Sequence, residues 1–486
     1  MMLRKQTMNE PMYDVVIIGG GMTGLAAAWR LEQARRAGLP VRYLLVEAAP
    51  RLGGKITTRT QDGFLIEHGP DSFLTTKPHL LTLVRALGLE DELIAPRTTR
   101  YYLVRHGRLV PAPEGIFLGV PTRFMPFLRS PVLSWPGKMR MGLDLFIPPR
   151  RDEADESVGD FVRRRLGREA LERLAGPLMA GIHSADPDRL SLEATFPQLR
   201  AMERTHGSLI RAMWRARRQR GSGRSAGRGH RSPFLTLRSG LGRLVDALQD
   251  VLDPQALNIG VAVSAVASHQ AGYTLALSTG ATITAKQVLF TTPPPATARL
   301  LQSIAPDASQ HLHRIRMASS ASVVLGFRRE DVPHTLLDAS GALVPRIEQQ
   351  TVTGYTFASS KFEGRAPDGY VLLRAFVGGD GREAALSLDD TALVQQVLDD
   401  TRRLLGIQAQ PVLTDVQRWE KARPQYDVGH LDRVATIERT LPAGIAVVGS
   451  GMRGAGLPDC TRQGIEAAEK ALAALGFGRP AETPTA

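Results

Sequence analysis

The run Val15-Val16-Ile17-Ile18 enters Gly19-Gly20-Gly21-Met22-Thr23-Gly24 and continues directly into Leu25-Ala26-Ala27-Ala28. A β-branched strand therefore feeds a Gly-x-Gly-x-x-Gly turn that opens a helix, and this setting turns a weak motif into a strong one. Gly19 and Gly21 let the backbone turn sharply and approach a pyrophosphate. Gly24 lets helix and strand pack tightly, so that Met22, Thr23 and the helix start present their positive end to the phosphates. Twenty-three residues beyond Gly24, a second apolar run over 41–46 ends in Glu47, where a carboxylate can accept hydrogen bonds from a ribose diol. The chain is thus committed to a β-α-β dinucleotide-binding unit over about residues 13–48.

At 486 residues the chain has room for two or three domains, and 43% hydrophobic residues is a globular composition that excludes disorder for most of its length. The formal charge of +13 invites a polyanionic partner until its location is considered. Eleven arginines and no Asp or Glu lie between Arg204 and Arg243, and the rest of the chain is left near +2. Residues 219–232 within that stretch are rich in Gly, Ser and Arg without apolar periodicity and read as a flexible basic surface loop, so no nucleic acid is expected as partner.

The single Cys460 makes no internal disulfide, which fits a reducing compartment, and residues 1–12 lack the apolar core of a secretory signal. No stretch of eighteen uninterrupted apolar residues occurs, so a cytoplasmic protein is expected. The nearest approach is 116–149, broken by Pro121, Pro126, Pro131, Pro136 and Pro148 and interrupted by Arg123, Arg129, Lys138 and Arg140. Burial in its own domain core is expected for it, with peripheral contact at a membrane interface as the alternative.

Arg51-Leu52-Gly53-Gly54-Lys55 supplies a second glycine pair for close backbone approach, and 57–70 reads as a hairpin around Asp62-Gly63 that leads to Gly69-Pro70. Helical periodicity marks 80–87, 158–166 and 170–179, and strands return over 257–266, 273–277 and 287–290. Alternating segments at 322–327, 353–358 and 370–376 suggest an antiparallel sheet. The strand and turn Gly444 to Gly451, with a helix over 459–475, are expected to return to the first domain.

A Gly-rich turn plus an acid serves NAD and FAD alike, and the later segments decide. Glu47 with Arg51 to Lys55, together with Gly449-Ser450-Gly451-Met452-Arg453-Gly454-Ala455-Gly456-Leu457-Pro458-Asp459, resemble the flavin-binding pattern of the amine oxidase and protoporphyrinogen oxidase superfamily. Within it the chain is similar to the bacterial FAD-dependent porphyrinogen oxidases over nearly its whole length. The matching residues include Gly69-Pro70-Asp71-Ser72-Phe73, Gly181-Ile182-His183-Ser184, and Trp419 with Pro424-Gln425-Tyr426. Amine oxidases usually place an aromatic-Gly-Tyr motif where this chain has Leu457-Pro458-Asp459, which argues against a small-amine substrate.

The resemblance implies a mixed fold, α/β and α+β. A discontinuous Rossmann-like FAD-binding domain would take 12–95, 235–298 and 415–480. An antiparallel-sheet substrate domain would take 96–110 and 299–414, a helical subdomain 111–216, and the Arg/Gly-rich loop 217–233. Cofactor contacts are implied for Gly19, Gly21, Met22, Thr23, Gly24, Glu47, Arg51, Gly53, Gly54, Lys55, Gly69, Pro70, Asp71, Ser72, Val263, Trp419, Gly449, Gly454, Ala455 and Gly456. Substrate contacts are implied for Arg100 (a propionate anchor), Phe376 (a stacking ring), Gly181 and Leu343. No metal and no protein acid or base is implied; Lys77, His183 and Cys460 are given ordinary structural roles. The implied reaction is six-electron oxidation of a porphyrinogen by FAD and O2, releasing three H2O2. Coproporphyrinogen III is favoured over protoporphyrinogen IX because the chain is basic and without an evident anchor. A ferrochelatase-type handover partner, at most peripheral membrane contact, and a monomer or homodimer complete the expectation. Another FAD oxidase of the amine oxidase or desaturase type is the alternative enzyme, and a nucleic-acid-binding flavoprotein the alternative outside enzymology.

Overall fold

The computed structural model describes residues 12–117, 119–222, 232–269 and 272–478. In the strand Met12–Ile18, residues Val15 to Ile18 are at most 4% exposed, as a parallel strand covered on both faces requires. Alternation divides its side chains between two layers. Val15 and Ile17 join Leu25 and Leu31 of the helix Met22–Arg36 and Ala468 of the helix Leu457–Ala474. Val16 and Ile18 pack with Val288, Ala298 and Leu312 on the other side.

The first sheet runs Leu257–Ile259, Tyr43–Glu47, Met12–Ile18, Thr282–Phe290, Gly272–Leu277, Val263–His269, and Ile445–Val447 also pairs with Thr282–Phe290. Its pairings are parallel except for the hairpin extension through Gly272–Leu277 and Val263–His269. The expected strand over 257–266 is interrupted at Gly260, whose φ of +77° sends the two halves to opposite sides of the sheet. The last strand and helix do return here. Gly464 of the terminal helix sits so close to the first helix that a Cβ would stand 2.2 Å from the Thr23 carbonyl oxygen.

The second sheet runs Leu413–Pro424, Met317–Arg328, Tyr370–Gly378, Val352–Phe357, Gly341–Leu343, Tyr102–Arg105, Arg108–Pro111. The helix Asp390–Leu405 covers one face through Leu393, Val397, Leu404 and Leu405. Two expected seams move. Met317 pairs with Pro424 and Gly326 with Leu413, so 415–424 belong to this sheet and not to the FAD-binding part. The helices Pro294–Leu301 and Pro306–His313 bury Leu301, Ala308 and Leu312 against the first sheet, so 299–313 stay with it. In both cases the deciding partner is remote in sequence, which local periodicity does not encode.

The helical part, from Phe124–Arg129 to Leu209–Ser222, forms its own apolar cluster around Phe161, Leu174 and Met179. It is braced by Arg165, fully buried and ion-paired to Asp144 at 2.5 Å. The expectation that 116–149 is buried holds only in part. Phe127, Val132, Leu133 and Met141 are inside, whereas Trp135, Met139, Leu143 and Phe146 are exposed. The expected basic loop over 217–233 begins as helix as far as Ser222, and its centre, 223–231, lies outside the described residues. Among the described residues no helix is long and apolar enough to cross a membrane.

Candidate active site

The glycine turn after Met12–Ile18 is built, at Gly19, Gly20 and Gly24, by contacts that leave no room for a side chain. A Cβ on Gly24 would stand 1.9 Å from the Gly19 carbonyl oxygen, and Gly19 itself has φ +111°. At Gly21 a Cβ would meet nothing within 4 Å, so this glycine faces an open groove. Glu47, at the end of Tyr43–Glu47, accepts the Gly20 N–H at 2.5 Å and the Ala49 N–H at 2.7 Å. The carboxylate is thereby fixed beside the turn. Gly53 donates to the Gly20 carbonyl at 2.8 Å and pairs with Gly21, which brings the second glycine pair alongside the first turn. Arg51 spends its guanidinium on this loop, donating to the carbonyls of Leu52, Ile56 and Gly54 and to the Thr57 hydroxyl.

The terminal turn closes the groove from the other side. A Cβ on Gly449 would stand 3.3 Å from the Thr23 hydroxyl, so the last glycine turn abuts the start of the first helix. The Gly449 N–H reaches Gln463 Oε1 at 3.1 Å, and the Gly454 N–H reaches the Tyr426 hydroxyl at 3.0 Å. Ala455 and Gly456 are exposed at the start of Leu457–Ala474, which begins with the positive end of its dipole. Tyr426 stacks on His430 at 4.1 Å and donates to the Ser450 carbonyl at 2.7 Å, while His430 Nε2 bonds the Met452 carbonyl at 2.8 Å. Burial pushes the His430 imidazole down to about 4, so a neutral ring donates this bond. Asp459 holds Lys77 at 2.7 Å. The sequence alone assigns Tyr426 and His430 no such role, although Tyr426 sits in the segment that carries the resemblance.

Gly69 is confined by the Lys55 carbonyl, 1.9 Å from where its Cβ would be, and Lys55 Nζ bonds the Ala422 carbonyl. Burial, helped by nearby Arg423, lowers the Lys55 ammonium to about 8. Asp71 accepts from Ser72 at 2.7 Å and pairs with Lys361 at 2.9 Å. Burial alone would raise its carboxyl, but Lys361 and Arg374 outweigh it and hold it well below the usual range. Trp419 donates to the His68 carbonyl at 3.2 Å across the seam between the sheets. Val263 stands at the start of the outer hairpin strand, opposite Leu277. Cys460 is buried, and burial pushes its thiol up to about 11.

Gly69, Pro70, Asp71 and Ser72 also line a cavity of about 870 Å³ between the second sheet and the helical part. Gly181, Leu343 and Phe376 line the same cavity, and a Cβ on Gly181 would stand 3.3 Å from Leu343. Three of the four expected substrate contacts are therefore brought together beside the flavin-type groove. Arg100 does not join them. It lines a separate cavity of about 850 Å³ with Arg97, Arg329 and Glu363, and its carbonyl is tied to the Ser340 N–H at 2.7 Å. Thr356, Arg374 and Arg423 line the main cavity, although sequence reasoning gave them no part. His183, nearby, is pushed down to about 4 by burial and by the charges of Arg423 and Lys77.

The architecture and the chain have known counterparts. The family model for flavin-containing amine oxidoreductases matches residues 22–472. Coproporphyrinogen III oxidase of Bacillus subtilis (strain 168) is 38% identical over 96% of this chain and 100% of its own length. The enzyme of the same name from Propionibacterium freudenreichii subsp. freudenreichii is 41% identical over 97% of this chain and 92% of its own. The crystal structure of a protein assigned as a protoporphyrinogen oxidase, from Exiguobacterium sp. 255-15, superposes with a TM-score of 0.83 at 32% identity, covering 96% of this chain and 99% of that one. Two facing glycine turns, two helix N-termini and the fixed Glu47 carboxylate fit a diphosphate, a ribose and a flavin in one groove. The cofactor is FAD, and the chain belongs to the flavin-containing amine oxidoreductase family.

Proposed function

We propose that this protein oxidises a porphyrinogen to a porphyrin in haem biosynthesis, with coproporphyrinogen III as the favoured substrate and protoporphyrinogen IX second. The observation that carries the reading is the cavity of about 870 Å³, which shares Gly69 to Ser72 with the flavin groove and is lined by both apolar surfaces and arginines. A macrocycle with carboxylate arms needs that combination. Apolar faces at Gly181, Leu343 and Phe376 hold the ring, and fixed guanidiniums hold the acids. The names of the relatives that span the whole chain support the same substrate class.

Held between the two glycine turns and Glu47, FAD would supply the redox chemistry, as acceptor of a hydride equivalent in each of three rounds with O2 as the final oxidant and three H2O2 as by-product. The protein's part is positioning. Phe376, held under the Arg374 guanidinium at 4.7 Å, gives the ring a rigid wall. Asp71 is already paired with Lys361 and Glu172 with Arg168, so these carboxylates do not repel an acidic substrate. His183 is neutral at physiological pH and keeps its edge against Phe196 at 5.4 Å, a packing role. The exposed face around Trp135 and Phe146 fits the peripheral membrane contact expected of a protein that handles hydrophobic macrocycles.

The test is an anaerobic single-turnover mix with coproporphyrinogen III and, separately, protoporphyrinogen IX. Bleaching of the flavin band, followed by porphyrin fluorescence once O2 is admitted, is expected, and faster with coproporphyrinogen III. A flavin that stays oxidised with both would overturn the reading.

A further inference from the structure

The cavity's carboxylates are already spoken for. Asp188 pairs with Arg163 at 2.6 Å, Glu172 with Arg168 at 2.6 Å, Asp186 with Arg346 at 3.0 Å and Asp71 with Lys361 at 2.9 Å, while Asp380 is held by Arg316 at 2.6 Å. Three lining guanidiniums make no ion pair among the described residues, although Arg374 feels the charges of Asp71 and Glu67 and Arg382 that of Asp400. Arg374 donates to the carbonyls of Glu67 and Gly69, and Arg382 to that of Gln350 at 2.5 Å. The Arg423 guanidinium, half-buried in the cavity wall, makes no hydrogen bond or ion pair among the described residues and stands close enough to Arg374 for the two charges to oppose each other. Enclosing an unpaired guanidinium beside a second one is costly unless an anion completes the site.

The backbone is bent to put Arg423 there. The strand Leu413–Pro424 pairs Trp419 with Ser320 and Arg423 with Ala318, so four steps on one strand answer two on the other. Inside this bulge Lys421 adopts φ +43°, a left-handed conformation unfavourable for a side chain with a Cβ, and its N–H is held by the Ser319 hydroxyl at 2.9 Å. Bulges of this kind re-aim a side chain, and strain of this kind gathers at functional sites. The same bulge directs the Ala422 carbonyl to Lys55, which adjoins the glycine pair, so Arg423 stands at the FAD end of the cavity. Arg382, bonded to Gln350 and adjoining Arg346, forms a second cationic place with its own surroundings.

We infer that Arg423, with Arg374, seats a substrate carboxylate at the FAD end of the cavity, and that this seat selects macrocycles carrying acidic arms on opposite edges. The inference rests on the porphyrinogen reading and deepens it. A ring with carboxylates on one edge satisfies one of the two cationic places, whereas a tetracarboxylate satisfies both. A guanidinium–carboxylate pair taken out of water accounts for a tenfold or larger preference.

The experiment uses the FAD-loaded protein and measures dissociation constants for coproporphyrin III and protoporphyrin IX by porphyrin fluorescence, in wild type, Arg423→Met, Arg423→Gln and Arg423→Lys. Arg423→Met and Arg423→Gln are each expected to weaken coproporphyrin III binding about tenfold or more and protoporphyrin IX binding less than threefold. Arg423→Lys, which keeps the charge without the planar fork, is expected to recover part of the loss. Unchanged coproporphyrin III affinity, or an equal loss for both porphyrins, would overturn the inference. So would variants that alter the flavin spectrum while binding both porphyrins as wild type does, since Arg423 would then serve the cofactor. Flavin bleaching by a porphyrinogen in the wild type, beside unchanged affinities in the variants, would sink this inference and leave the function standing. A wild type that binds no porphyrin would overturn both.

Discussion

Glu67 is the titratable side chain whose surroundings make the clearest demand on pH. It accepts the Leu241 N–H at 2.6 Å and the Thr58 hydroxyl at 2.7 Å and is 6% exposed, at the seam where Arg374 and Arg365 enter from the second sheet. Burial raises its carboxyl to about 7, against the partial opposition of those bonds and charges. A carboxyl raised in the folded state holds its proton where the unfolded chain has lost it. Between about pH 4.3 and 7 the native state therefore binds more protons, and stability falls as pH rises, by up to about 4 kcal/mol. Above that window the loss is complete; below it the group contributes nothing. Glu67→Gln removes the titration, so the melting temperature of wild type relative to this variant is expected to drop as pH goes from 5 to 8. Parallel Tm profiles would show that Glu67 is ionised in the native protein throughout. The residue scale also shows where sequence reading stopped. Glu67, Arg374 and Arg423 acquire their chemistry from neighbours far along the chain, whereas Gly19 to Gly24 and Glu47 carry theirs in local order. Arg100 lay between these cases. Its chemical type suited a carboxylate, but the backbone bond to Ser340 fixes its loop on the rim of another cavity.

Elements formed by short-range rules were legible. The hairpin Thr58–Gln61 and Phe64–Glu67 turns at Asp62 and Gly63, both with positive φ, as a two-residue turn of this twist requires. The return of Ile445–Val447 to the first sheet was legible too, because an apolar strand ending in glycines has to be buried on both faces. The assignment of Leu413–Pro424 to the second sheet was not, since its polar, half-buried pattern fits an edge strand in either place. Where two elements meet at a glycine, the consequence is testable. The first and last helices touch at Gly464, and their N-termini bound the FAD groove from two sides. Gly464→Ala would force them apart, since a Cβ there has the Thr23 carbonyl at 2.2 Å. A loss of about 1–3 kcal/mol is expected, in line with overpacking of a closed interface. Denaturant unfolding measures it, and FAD retention on gel filtration should fall with it. A variant that is less stable but holds FAD as tightly as wild type would mean that the groove tolerates the shift.

At the scale of the whole molecule, much of the exposed large apolar surface gathers on the helical part. Trp135, Met139 and Phe146 are 65%, 69% and 79% exposed, and Trp135, Met139 and Leu143 recur at a spacing of four, which puts them on one helical face. Lys138 lies over the Trp135 ring at 4.6 Å, and Arg140 on the next turn links this helix to the carbonyls of Arg163 and Arg164. That helical contact continues to Arg168, which lines the mouth of the substrate cavity. A large apolar face of this kind is unfavourable in water unless something covers it. Aromatic and Met side chains flanked by cations suit the interface of an anionic bilayer, where each nearby Lys or Arg adds about 1 kcal/mol. The protein is therefore expected to co-sediment with phosphatidylglycerol vesicles at low salt, less so at high salt, and weakly with phosphatidylcholine vesicles. Trp135→Ser combined with Phe146→Ser should abolish the sedimentation without changing turnover of a porphyrinogen supplied in solution, since neither side chain lines the cavity. Sedimentation that survives the double substitution would move the contact elsewhere on the surface. Sedimentation that is equal on neutral vesicles would show that the apolar face acts without help from the charge around it.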